Sequence, residues 1–136
     1  MTTMERQDAA EGERLKHEEF ELLSVTREYY IRRGRRALLR HLMLTGQATA
    51  DVVRDAVSLP PDIDPVLFGA VPNALARAGI IRRIGFAPST RRQRHGAHMA
   101  VWELADHDAA ARWLRDFPEP AHPDAAPKAD SKESQI

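Results

Sequence analysis

The sequence predicts one mainly α-helical domain that carries a two-stranded β-hairpin. Three features lead to this fold class: apolar residues recur at helical spacing in several segments, capping residues and prolines bound those segments, and two β-rich runs flank a polar loop. With 136 residues, the chain is long enough for one domain with tails and too short for two ordinary cores.

Two N-terminal segments are expected before the domain. Residues 1–13 have few large apolar side chains and no periodicity, which predicts a disordered, acidic N-terminus. Residues 14–33 contain strong helix formers and spaced apolar residues, which predicts an N-terminal helix. Gly34 is expected to separate this extra helix from the domain, which we place at residues 34–117.

The domain is expected to begin with two helices. An apolar stripe ends at Gly46, a residue type typical of the position just after a helix. Thr49 is placed as the N-cap of a second, short helix, in which Asp51 lies favourably near the positive end of the helix dipole. Pro60 and Pro61 must end this helix because both lack an amide donor and Pro61 disfavours a helical conformation of its predecessor.

A third helix is predicted over residues 65–79. Asp64 serves as its N-cap, a proline follows at the first helical position, and Gly79 ends it. Pro72 lies inside this range, where its ring and its missing amide would disturb a continuous helix. Either the helix kinks at Pro72 or it begins near Val71 after a separate turn, and the sequence leaves both alternatives open.

Two strands and a last helix complete the predicted domain. Residues 80–86 are rich in isoleucine, and residues 99–104 alternate in the manner of a strand. The intervening residues 87–98 form a polar loop with three arginines and no acidic residue. Asp106 is placed as the N-cap of a C-terminal helix, and the proline-rich residues 118–136 are expected to form a disordered tail.

Charge is distributed unevenly along the chain, although the formal net charge is zero. Residues 27–98 contain thirteen arginines and five acidic residues, whereas the flanks contain seven basic and fifteen acidic residues. The planar guanidinium group suits phosphate oxygens and guanine edges better than lysine does. The basic centre therefore indicates a nucleic-acid partner, while arginine codons of a GC-rich genome remain an alternative explanation.

The order helix, short helix, helix, strand, basic loop, strand is that of a winged helix. Within residues 34–117, several stretches carry the same pattern: Gly69-Ala70-Val71, Leu75, Ala78-Gly79-Ile80-Ile81, Gly85-Phe86, the loop 89–96 and Val101-Trp102-Glu103-Leu104. On these stretches the sequence resembles the winged helix-turn-helix DNA-binding family, in particular small phage-type winged-helix proteins. The resemblance implies binding of double-stranded DNA in a regulatory or replication accessory role, and Pro72 departs from it.

The resemblance places a recognition helix at about 65–79 and a basic wing at about 87–98. The wing would contact phosphates through its basic residues, which are Arg91, Arg92, Arg94, His95 and His98. On the recognition helix, Asn73 and Arg77 lie one turn apart, so that Asn73 could read adenine and Arg77 guanine or phosphate. The alternative for the loop is a solvated hairpin tip. The alternative for the helix is a face that is exposed to solvent or that forms a dimer.

Further arginines lie at the start of the domain and in the first predicted strand. Candidate contacts to the DNA backbone are Arg35, Arg36, Arg40, Arg82 and Arg83. The arginines near residue 35 are also expected to pair with the acidic N-terminal segment, which would then act as an internal mimic of nucleic acid.

The sequence favours no catalytic function. It contains no cysteine, no Gly-x-Ser-x-Gly motif and no phosphate-cradling glycine loop, so we expect no enzyme, no cofactor and no small-molecule substrate. The histidines near the wing lack further ligands at metal-binding spacing, and a nuclease would need an acidic cluster. Neither a signal peptide nor a membrane span is recognisable, and a cytoplasmic location is expected.

The alternative to DNA binding is a protein–protein interaction module. Winged helices also dock onto other proteins, and the N-terminal helix offers an apolar face for a homodimer or another partner. The two functions differ in the expected effect of neutralising the loop arginines. This change should abolish DNA binding but leave the capture of a protein partner unchanged.

Overall fold

Four helices and one β-hairpin make up the described part of the chain, residues 3–89 and 98–123, in a computed structural model. Side chains are described for residues 23–89 and 98–123. The chain divides into two compact units, of which Tyr30–Ala121 forms one, and the described residues 3–29 and 122–123 belong to the other. The helices and the antiparallel hairpin confirm the predicted mainly α-helical class.

The elements follow the chain in a simple order. They are α1 (Thr3–Thr45), α2 (Ala50–Ala56), a 3-10 turn (Pro65–Gly69), α3 (Ala70–Arg77), β1 (Ile81–Pro88), β2 (His98–Leu104) and α4 (His107–Asp116).

Helix α1 is continuous where the sequence predicts a boundary. It begins at Thr3, within the segment expected to be disordered, and it passes through Gly34 without a break. A Cβ atom on Gly34 would lie 2.8 Å from Cγ2 of Val71 and 3.1 Å from Cγ1 of Val53. Gly34 therefore serves the close approach of α2 and α3 to α1, and the prediction that it separates two helices is wrong.

The predicted helix caps are confirmed. Thr49, Asp64 and Asp106 each accept a hydrogen bond from a backbone amide in the first turn of the element that follows, with donor–acceptor distances of 3.3, 2.9 and 2.9 Å. Gly46 and Gly79 follow the ends of α1 and α3 with φ angles of 91° and 79°, a region that glycine adopts without steric strain. Local residue chemistry therefore sets most of the helix ends.

The structure decides between the two alternatives for Pro72. The predicted continuous helix over residues 65–79 is divided into the 3-10 turn and α3, and α3 begins at Ala70. Pro72 is thus the third residue of α3, a position whose amide has no partner within the helix in any case. The alternative of a separate turn followed by a later helix is confirmed, and α3 needs no kink.

The hairpin pairs antiparallel over its whole length. Its register runs from Ile81 opposite Leu104 to Pro88 opposite His98, and a bulge interrupts it between Arg83 and Gly85. Such a bulge increases the local twist of the strand that contains it.

A single residue extends the hairpin toward the first two helices. Ala48, between α1 and α2, forms an isolated antiparallel bridge with Trp102. The amide of Ala48 donates to the carbonyl of Trp102 at 3.1 Å, and the amide of Trp102 donates back at 2.8 Å. The α1–α2 connection is thereby attached to β2.

The core of the Tyr30–Ala121 unit lies between α1, α3 and the hairpin. Its largest fully buried side chains are those of Leu38, Leu39, Leu42, Val71, Leu75 and Ile81. All but Val71 belong to the apolar positions that the spacing indicates in two helices and in the isoleucine-rich strand. Leu44 and Val66, which the same spacing places with them, are 86% and 72% exposed.

Candidate nucleic-acid interface

Helix α3 presents a polar face away from the core. Val71 and Leu75 are buried, with relative exposures of 0% and 1%. Asn73 and Arg77, the two residues that the sequence singles out for base reading, are exposed on the same helix. Both side chains are therefore accessible to a ligand that approaches α3 from the solvent side.

The two arginines at the start of β1 have different surroundings. Arg82 forms an ion pair across the hairpin with Glu103, in which the two side chains are 63% and 29% exposed. The guanidinium carbon of Arg83 lies 5.1 Å from the ring centroid of Phe86, which is itself 63% exposed. Arg82 is thus partly neutralised within the protein, whereas the charge of Arg83 is stacked on an exposed aromatic ring.

The predicted wing is described only at its two ends. Arg91, Arg92, Arg94 and His95 lie outside the described residues. His98 lies within them, exposed at the start of β2 and opposite Pro88.

The loop between the strands is anchored where it leaves β1. The hydroxyl oxygen of Ser89 lies 3.2 and 3.1 Å from the two carboxylate oxygens of Asp51 and donates a hydrogen bond to that carboxylate. Both residues are 8% exposed. The base of the predicted wing is therefore attached to the first turn of α2.

This anchor was not foreseen from the sequence. Asp51 is expected near a helix N-terminus for its favourable interaction with the dipole, and nothing in the sequence connects it to a serine 38 residues away. A serine directly after a strand is ordinary, so only the fold identifies its partner.

Ser89→Ala is expected to lower the free energy of unfolding by about 1–3 kcal/mol, because it leaves a buried carboxylate without this hydrogen bond. Ser58→Ala, at an exposed position, is the matched control and should change stability by less than about 0.5 kcal/mol. Urea denaturation measures both values. Equal effects of the two substitutions would contradict a specific role of the Ser89–Asp51 contact.

Arg35 binds the first turn of α3. Its Nε donates to the carbonyl of Val71 at 3.2 Å, and its Nη2 donates to the carbonyl of Ala70 at 3.0 Å. Arg35, which the sequence assigns as a candidate contact to the DNA backbone, thus holds the start of α3 against α1.

Arg36 and Arg32 bind the end of α4. Nη1 of Arg36 donates to the carbonyls of Leu114 at 2.9 Å and Phe117 at 2.6 Å. Nη1 of Arg32 donates to the carbonyl of Pro118 at 3.3 Å. The last carbonyls of a helix have no partner within it, and arginine side chains satisfy them well.

The C-terminal segment also contributes an acidic partner for two arginines of α1. Glu119 forms ion pairs with Arg33 and Arg36. The sequence predicts a disordered tail from residue 118, whereas in the structure Pro118 and Glu119 lie against α1. The polar contacts of arginines order this stretch, and a count of apolar residues does not detect them. The predicted pairing with the acidic N-terminus concerns side chains that lie outside the described ones. Of the predicted α1 contacts, Arg40 is exposed, whereas Arg35 and Arg36 are partly buried.

Where side chains are described, at residues 23–89 and 98–123, no group of three or more histidine, aspartate or glutamate side chains is placed to hold a metal ion. Among the same residues, every helix is too short or too polar to cross a membrane.

Comparisons with known proteins found no matching protein-family model, no similar curated protein and no similar solved structure.

Proposed function

We propose that this protein binds double-stranded DNA through a winged-helix domain, with α3 as the recognition helix and the β1–β2 loop as the wing. The observation that carries the proposal is a segment without acidic residues. Between Asp64 and Glu103 the chain contains six arginines and no aspartate or glutamate. This segment comprises the 3-10 turn, α3, β1, the loop and nearly all of β2.

The exposed arginines of the segment add to this argument. Arg77, Arg82 and Arg83 are all exposed, on α3 and on β1. The α1 arginines at positions 32, 35 and 36 instead donate to carbonyls of the protein itself. Positive charge on α3 and β1 is therefore accessible from solvent, with Arg82 sharing its charge with Glu103, and phosphates neutralised there would release counterions and provide affinity.

The geometry of the helices supports the same function. Helix α3 has eight residues, and an α-helix with its side chains is about 10–12 Å across, which fits the roughly 12 Å width of the major groove. Because Pro72 lies in the first turn of α3, its departure from the family pattern does not distort the exposed face with Asn73 and Arg77. The Ala48 bridge attaches the α1–α2 connection to β2, so the helices and the strand that follows the wing are held together.

The roles of individual residues follow from their positions. Asn73 is proposed to read adenine, Arg77 to contact guanine or phosphate, and the wing arginines to contact the DNA backbone. The anchor between Ser89 and Asp51 would orient the wing relative to α2 and α3. A regulatory or replication accessory role follows if the binding is specific for a DNA sequence.

The proposal predicts salt-dependent binding of random duplex DNA. Fluorescence anisotropy with a labelled duplex, at low and near-physiological salt, measures the affinity of the wild type and of the variant with Arg91, Arg92 and Arg94 changed to alanine. The triple variant should bind at least about tenfold more weakly at low salt, and its log–log salt slope should be smaller by up to about 2.7, since each phosphate contact contributes about 0.9.

The matched control removes the same charge elsewhere. Arg27, Arg112 and Arg115 are exposed and lie outside the acid-free segment, so their change to alanine should leave most of the affinity intact. Equal losses of DNA affinity in the two triple variants would show that only net charge determines binding, and would contradict a DNA-binding wing. Absence of binding by the wild type at low salt would contradict DNA binding altogether.

A second candidate function is a protein–protein interaction through α1. Leu23 and Val25 are apolar side chains of this helix that are 69% and 56% exposed, and a second copy or another protein partner would cover them. An absence of duplex binding at low salt, together with dimers in light scattering, would favour this function.

A further inference from the structure

A pocket lined by three arginines lies between α1 and the C-terminal end of α2. It has a volume of about 120 Å³, several times the roughly 30 Å³ that a water molecule takes up in the liquid. Its lining consists of Arg33, Arg36 and Arg40, the apolar residues Ala37, Ala56 and Val57, and Glu119. No residue of α3 or of the hairpin lines it, so it is separate from the surface proposed to bind DNA.

One carboxylate from the C-terminal segment occupies this pocket. Oε2 of Glu119 lies 3.6 Å from Nε of Arg33, and Oε1 lies 3.9 Å from Nε of Arg36. Both distances exceed the 2.7–3.2 Å range of a good N–H···O hydrogen bond. Glu119 is also 58% exposed, so its carboxylate is a loosely held counterion.

Arg36 retains an unused donor in this pocket. Its Nη1 is committed to the carbonyls of α4, and its side chain is 15% exposed. Its Nε is buried and has no hydrogen-bond partner among the described residues. An unsatisfied buried donor is costly, and a charged acceptor that approached it more closely than Glu119 does would remove that cost.

The charges of the lining favour a ligand with more negative charge than a carboxylate. The pocket lining contains three guanidinium groups and one carboxylate, that of Glu119, and a phosphate group carries about −1.5 to −2 at neutral pH. Its three acceptor oxygens diverge tetrahedrally and can serve several donors at once, and planar guanidinium groups bind them well.

We propose that the Arg33–Arg36–Arg40 pocket is a binding site for a phosphate group and that Glu119 is its intramolecular competitor. The phosphate displaces the Glu119 carboxylate, accepts from Nε of Arg36 and Nε of Arg33, and is neutralised further by the exposed Arg40. The group belongs either to a small phosphorylated compound or to the backbone of DNA. The site does not depend on whether α3 and the wing bind DNA.

Removal of the competitor tests the site directly. Inorganic phosphate is titrated into the full chain at constant ionic strength, and the NMR signal of the Arg36 Nε–H group is followed. Glu119→Gln keeps the size of the side chain but removes its charge, and it should bind phosphate about five- to tenfold more tightly, because exposed ion pairs of up to about 1 kcal/mol each no longer compete. Adding Arg40→Gln to this variant should weaken binding again.

The control breaks a comparable ion pair at another place. Glu103→Gln removes the partner of Arg82 and changes the net charge equally, so phosphate affinity should remain that of the wild type. The proposal is overturned if Glu119→Gln binds phosphate no more tightly than the wild type, or if Glu103→Gln tightens binding to the same extent. Circular dichroism of each variant verifies that the fold is retained.

Labelled random duplex distinguishes the two sources of the phosphate group. If Glu119→Gln also tightens duplex binding and inorganic phosphate competes with the duplex, the ligand is the DNA backbone. If phosphate binding tightens while duplex binding is unchanged, the ligand is a small phosphorylated compound. The wing variants test DNA binding separately, so a failure of one proposal is not mistaken for a failure of the other.

Discussion

Gly34→Val is expected to lower the free energy of unfolding by about 3 kcal/mol, at the upper end of the usual cost of overpacking. Even the Cβ atom would approach a side-chain carbon of Val71 to 2.8 Å, and Val71 is fully buried. Valine side chains are stiff at χ1 and cannot move aside cheaply. The helices would therefore have to separate, and their packed contacts would be lost.

Urea denaturation of the full chain measures this effect, and Gly69 provides the matched control. A Cβ atom on Gly69 meets nothing within 4 Å, and its φ of −60° suits any residue. Gly69→Val should therefore change stability by less than about 1 kcal/mol.

A double-variant cycle tests whether Val71 is the cause. The change Val71→Ala should cost less in the Gly34→Val background than in the wild type, since it makes room for the added methyl groups. Simple additivity of the two substitutions would contradict the close approach of α1 and α3.

Leu39→Ala is expected to lower the free energy of unfolding by about 3–4 kcal/mol. Leu39 is 0% exposed in the centre of the core, and truncation removes its transfer free energy and leaves a cavity. For a unit of this size the melting temperature should fall by roughly 12–25 °C, as measured by calorimetry.

Leu44 on the same helix is the control for this substitution. It is 86% exposed, so Leu44→Ala should change stability by no more than about 0.5 kcal/mol. A similar loss in both variants would show that helix propensity, and not burial against α3 and the hairpin, determines the contribution of α1.

The elements of the fold could be predicted because their signals are local. Thr49, Asp64 and Asp106 cap the elements that follow them, and Gly46 and Gly79 end helices, since each needs only its neighbours in the chain to act. The same holds for most of the core, which the spacing of apolar residues identifies without knowledge of the partner helix. Leu44 and Val66 follow that spacing and are nevertheless exposed, because no element among the described residues covers them.

The candidate site could be predicted only in part. The exposure of Asn73 and Arg77 follows from the helical period, because they lie off the apolar stripe of α3. The partners of the arginines in α1 do not follow from any period. Arg35 and Arg36 read as surface charges in the sequence, yet they bind carbonyls 35 to 81 residues away along the chain.

The sequence by itself therefore determined the mainly helical class, the hairpin, the helix caps and the concentration of arginine between Asp64 and Glu103, but not the continuity of α1. Only the tertiary structure decided that Gly34 is a packing position, that Ser89 is tied to Asp51, and that Glu119 lies in a pocket of arginines. The physical reason is the distance along the chain over which each kind of interaction acts. Capping and periodicity act within a few residues, whereas close packing, buried hydrogen bonds and ion pairs depend on which distant segments the fold brings together.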